Sequence, residues 1–112
     1  MERELLGRTL PLLILMNPDG RTAAPADFHG VGPAFRVYPD HVSLLKTVQE
    51  LQLSNDSYNI SGMAARDLFD WVATTNIALA LNVYMTPHTH TYVFWLPKDL
   101  RLLAQGQLAS SA

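Results

Sequence analysis

Two apolar stretches near the end of the chain, Ile77 to Tyr84 and Thr91 to Trp95, put hydrophobic side chains on both faces of an extended backbone. Alternate residues of a strand point to opposite sides, so Ile77, Leu79, Leu81 and Val83 share one face while Ala78, Ala80, Asn82 and Tyr84 share the other. Tyr92 and Phe94 oppose Val93 and Trp95 in the same way. A strand apolar on both sides needs two covers, supplied by layers of its own domain or by a partner. The alanines at 78 and 80 leave room for a helix to approach closely, and a short turn bearing His88-Thr89-His90 joins the two strands.

The remaining elements follow from periodicity and punctuation. Leu10 to Met16 is a continuous apolar run closed by Asn17-Pro18-Asp19-Gly20, which reads as a buried strand ending in a turn. Arg21 to Pro33 is dense in Gly and Pro and is expected to be a structured loop of the kind that carries function. Ala34 to Tyr38 is a short strand, and Pro39-Asp40 opens a helix whose apolar stripe is Leu44, Leu45, Val48 and Leu51. Ser57 to Ile60 forms a third strand, with Ser61 as the cap of a second helix that buries Ala64, Ala65, Leu68, Phe69, Val72 and Trp71. Arg66 and Asp70, four apart on its outer side, are placed to pair. A last helix begins at Pro97, presents Leu100, Leu103 and Ala104, and stops at Gly106. Residues 1–8 and 107–112 are expected to fray.

A chain of 112 residues, 48% hydrophobic and 16% charged, is sized and composed for one domain with its own core. The net charge of −2 with scattered Lys and Arg excludes the basic footprint that nucleic acid or an anionic membrane requires. The chain has no cysteine, hence no disulfide, thiolate metal site or cysteine nucleophile, which fits a cytoplasmic setting. The apolar run at 10–16 is too short to span a membrane, and the turn after it is no cleavage site.

Chemical candidates are few. His88 and His90 are two apart, so on a strand their imidazoles point to one side and can share a metal ion, with Asp27, His29, Asp40, His41 or a helix carboxylate as a distant third ligand. A solvent-facing pair at a turn is the simpler reading. Asp27 beside Phe28-His29 and Asp40 beside His41 set carboxylates near imidazoles, but Asp40 is better explained as a helix cap. No Gly-x-Ser-x-Gly elbow is present, and Gly30-Val31-Gly32 lacks the Lys and helix of a phosphate loop. Trp71 and Trp95 suit either a core or an interface.

Taken in order, the Leu10 strand with its Asp19-Gly20 turn, the Ala34-Phe35 strand before Leu44-Leu45, the Leu68-Phe69 helix, the strand ending Leu81-Asn82 and the Leu96-Pro97 to Leu103 segment resemble the N-terminal domain of the SseB family, named for enhanced serine sensitivity. The chain differs in its long Arg21 to Pro33 loop and in having Phe35-Arg36-Val37-Tyr38-Pro39 where Phe-Thr-Ser usually enters the first helix. The resemblance implies a small mixed α+β fold and a non-catalytic role in a bacterial protein, with no active-site motif to transfer.

The expectation is therefore a single α+β domain, a mixed sheet of about five strands covered by about three helices in the order ββαβαββα. It has no cofactor and no catalytic constellation, and it works by binding a protein partner or a second copy of itself through an apolar sheet face or edge. Phe28, His29, His88, His90 and Tyr92 are the interaction candidates. A metal-binding module or metal-dependent hydrolase centred on His88 and His90 is the alternative.

Overall fold

The computed structural model describes residues 1–86 and 89–108. Its elements are helix α1 (Glu2–Leu6), strands β1 (Leu12–Met16), β2 (Ala26–Phe28) and β3 (Gly32–Tyr38), helix α2 (His41–Glu50), strand β4 (Asn59–Met63), helix α3 (Ala65–Thr75), strands β5 (Ala78–Thr86) and β6 (Thr89–Trp95), and helix α4 (Pro97–Ala104). The α+β class and the mixed sheet are as expected, while the strands and helices each exceed the expectation by one. The extra strand, β2, comes from the segment read as loop. The extra helix, α1, comes from residues expected to fray: its Leu5 joins the core, and its buried Glu2 accepts a 2.6 Å hydrogen bond from the Trp95 indole.

The strands run β4-β1-β3-β5-β6 across one sheet, with β2 paired to β3. Ala34 to Val37 of β3 lie parallel to Ala78 to Leu81 of β5, and every other pairing among the described residues is antiparallel. Val37 pairs with Ile14 on one edge and with Leu81 on the other, and Ala34 pairs with Ala26 and with Ala78 in the same sense. β1 and β2 therefore occupy one edge of β3 in succession, and residues 17–25 are an excursion from a single antiparallel line. Asp19 organises that excursion: its carboxylate accepts from the amides of Arg21 (2.8 Å) and Thr22 (3.0 Å), while Gly20 takes a φ of +70°.

One face of the sheet is covered by α1, α3 and α4. Leu12, Ile14 and Met16 of β1, Phe35 and Val37 of β3, Leu79 and Leu81 of β5 and Trp95 of β6 pack against Leu5, Leu68, Phe69, Val72, Leu100 and Leu103 of the helices. A fully buried Leu, Val or Phe of this set contributes about 1.5–3 kcal/mol relative to exposure. Trp71 lies at the rim, its ring 5.3 Å from that of Phe35. Arg66 does not pair with Asp70; it donates to the carbonyl of Ala104 at 3.4 Å, which ties α3 to the end of α4. Ser61 is not a helix cap, because the β1 ladder holds it opposite Ile14, and α3 starts at Ala65 without a side-chain cap. Ala64, at that N-cap position, stays exposed.

Among the described residues, α2 is the one helix on the other face. Its buried residues are Ser43, Leu44, Thr47 and Val48, while Leu45 and Leu51 are exposed, so the stripe is rotated from the one expected. Leu44 and Val48 pack on Leu13 and Tyr38, over the β1–β4 half of the sheet. The buried polar pair is internally satisfied: Ser43 Oγ donates to Asp40, and Thr47 Oγ1 donates to the Ser43 carbonyl. Among the described residues no helix is long and apolar enough to cross a membrane.

Candidate functional site

The half of the second face that α2 leaves open has a floor of alanines. Ala34, Ala78 and Ala80 are buried side by side on β3 and β5, and Phe28, Tyr92 and Phe94 pack over them. Because a methyl group is all that rises from each floor position, Phe28 can lean from β2 across two strands to reach β6. Its ring sits 5.1 Å from that of Tyr92 and 5.0 Å from that of Phe94, both edge to face, the arrangement aromatic quadrupoles favour. The residue paired with Phe28 is Gly32, which offers no side chain to hold the ring upright. The close approach anticipated at Ala78 and Ala80 is thus made by a phenyl ring and not by a helix.

The three rings are half-buried, so they form an aromatic platform with one side packed and the other toward solvent. At its inner margin the hydroxyls of Tyr92 and the buried Tyr38 lie 3.5 Å apart. Burial pushes the Tyr38 phenol well above its ordinary ionisation range, partly offset by a hydrogen bond with Thr47. Beyond the platform, β6 is an outer strand of the sheet, paired among the described residues with β5 alone. Thr89 to Trp95 contains no Lys, Arg, Asp, Glu or Pro, the residues with which edge strands commonly block further pairing.

Of the expected interaction residues, Phe28 and Tyr92 meet in this platform. His29 is exposed in the β2–β3 turn, apart from the ring contacts. His90 belongs to β6, opposite Tyr84, and His88 lies outside the described residues. Among the described residues no three His, Asp or Glu side chains gather in a way that could hold a metal ion. Asp40 caps α2 through the amide of Ser43 at 2.8 Å, and His41 is exposed on its first turn.

Three residues of this region have no role in the sequence reading. Phe94 is apolar on a two-faced strand and carries no mark that separates it from core. Tyr38 reads as a strand end. Asn82 carries the clearest signal, a lone amide within an apolar run: it is 1% exposed, and neither Oδ1 nor Nδ2 has a hydrogen-bond partner among the described residues. Such an orphaned amide costs about 1–3 kcal/mol.

Compared with family models, with curated proteins and with solved structures, the chain gives no match.

Proposed function

We propose that this chain is a non-catalytic interaction domain that pairs with a second copy of itself through the outer edge of β6, bringing two aromatic platforms side by side. The observation that carries this reading is the combination of an outer strand seven residues long, without Lys, Arg, Asp, Glu or Pro, with half-buried aromatic rings on the adjoining face. Antiparallel pairing about a two-fold axis satisfies the same backbone groups on both copies, which makes the contact self-complementary. The two sheets then become one, and Tyr92 and Phe94 of each copy gain a neighbour across the seam. Aromatic residues of this kind are enriched at interface centres.

The test is oligomeric state. Light scattering of the purified chain is expected to give twice the 12.5 kDa mass of one copy. Thr91 is exposed on β6, so Thr91→Lys puts a like charge on each side of the seam without touching the core. That variant is expected to be monomeric with an unchanged far-ultraviolet spectrum, whereas Asp56→Lys, on a remote exposed turn, remains dimeric. A strictly monomeric parent chain at high concentration would sink the proposal.

A further inference from the structure

Arg36 stands at an unusual place for a charge. It belongs to β3, a strand paired on both sides, and alternation puts it on the same face as Ala34 and Tyr38. Among the described strand residues it is the one Lys, Arg, Asp or Glu on that face, with Ala80 of β5 paired beside it. Along β3 it separates Tyr38, under α2, from Ala34, under the aromatic rings. The side chain is half-buried and makes no hydrogen bond or ion pair among the described residues. A charge partly withdrawn from water and left without a partner is a cost to folding, and such departures from good packing cluster at functional sites.

Arg36 lines a cavity of about 180 Å³ with residues of the 17–25 excursion and of the connection from α2 to β4. The apolar wall is Leu15, Leu53 and Tyr58, all packed on the cluster of Leu13 and Tyr38 and hence on the Arg36 side of the sheet. The Arg36 charge also reaches the Tyr38 phenol, where burial pushes the ionisation up and the guanidinium opposes the rise. Ser57 and Asn17 complete the polar lining, but their donors are engaged: Ser57 Oγ donates to the Ser54 carbonyl at 2.7 Å, and Asn17 Nδ2 donates to Thr22 Oγ1 at 2.9 Å. Among the described residues no carboxylate lines the cavity, and Asp19 in the adjoining excursion is turned to the amides of Arg21 and Thr22. The guanidinium therefore faces a part-apolar space with all five of its N–H groups left for an acceptor.

We propose that this cavity binds a small organic monocarboxylate with a branched or aromatic apolar body. The carboxylate meets the Arg36 guanidinium, and the body lies on Leu15, Leu53 and Tyr58. A planar guanidinium takes a carboxylate through two parallel charge-assisted bonds, which a neutral acceptor does not match. One cation balances one negative charge, so a monoanion fits where a phosphate dianion leaves charge uncompensated. The apolar wall favours an anion that carries hydrocarbon over a bare one. A volume of about 180 Å³ falls below the roughly 300–1,000 Å³ of drug-sized sites and suits a ligand of few heavy atoms. The inference does not depend on pairing through β6.

Calorimetric titration of the full chain with benzoate and 3-methylbutanoate is expected to give saturable binding at millimolar concentration and a raised melting temperature. Benzamide, which keeps the body without the charge, and acetate and inorganic phosphate, which keep charge without the body, are expected to give neither at the same concentration. Arg36→Met retains an apolar stem and removes the guanidinium, and it is expected to abolish binding while the melting temperature of the free chain holds or rises. Ser57 is exposed, so Ser57→Asp sets a carboxylate at the rim of the cavity without touching the core, and it is expected to weaken binding about tenfold. No saturable response to either carboxylate, an equal response to benzamide, acetate or phosphate, or full affinity in either folded variant overturns the proposal. If Arg36→Met does not fold, Ser57→Asp alone decides.

Discussion

Tyr38 is a residue whose chemistry is set wholly by its surroundings. Its ring is fully buried between α2 and the sheet, and removal of the phenol from water disfavours the phenolate. Its ionisation in the folded state therefore lies above the ordinary value of 10.0 that it regains on unfolding. The folded state holds that proton more tightly, so the stability this provides is complete below pH 10.0 and is lost as the pH rises toward the folded value. An ultraviolet absorbance titration is expected to find one of the four tyrosines silent until the chain unfolds, and Tyr38→Phe to remove that late component. Four phenols ionising together on an intact fold would contradict this. Nothing local marks Tyr38 in the sequence, because its neighbours Leu13, Leu44 and Tyr92 come from three other elements. Phe28 and Tyr92 are legible as candidates by their setting, a loop and a two-faced strand, but their contact is not.

At the level of the element, α2 separates what is local from what is not. Its start is readable: Asp40 precedes the periodic residues, and its carboxylate accepts from both the amide and the hydroxyl of Ser43 at 2.8 Å. Asp40→Ala is expected to cost about 1 kcal/mol in urea unfolding, with Asp40→Asn close to the parent chain. A cost near zero would mean that water replaces the cap. The face it buries is not readable from hydrophobicity alone. Leu44, Leu45, Val48 and Leu51 outscore Ser43 and Thr47, yet the structure buries the latter two because their hydroxyls find partners one turn away. The helix phase is chosen by the position of Leu13 and Tyr38 beneath it. β2 is invisible for a similar reason: three residues, Ala26 to Phe28, become a strand only because β3 offers an edge left free where β1 departs.

Across the whole molecule, a Cα radius of gyration of 13.5 Å matches the ~13 Å of a compact domain of about 100 residues. Within it the two sheet faces are built differently. The helix-covered face is filled by large side chains from every strand but β2, and the opposite face changes midway from an α2 cover to an aromatic cover over alanines. Ala80→Leu tests that second construction. A larger side chain in the floor has no space beneath the rings, so a loss of about 1–3 kcal/mol is expected, with loss of the Phe28 to Phe94 proximity in nuclear Overhauser spectra. A neutral substitution would show that the floor is not closely packed. The amino-acid order by itself determined the α+β class, the β5–β6 hairpin and which residues of β5 and β6 share a face, because alternation and turn chemistry act between near neighbours. Only the tertiary structure decided that α2 covers one half of a sheet face, that Phe28 crosses two strands to reach Tyr92, and that Asn82 is buried with an amide that has no partner among the described residues. Those outcomes depend on register and on which layers meet, and contacts between residues distant along the chain leave no periodic trace in it.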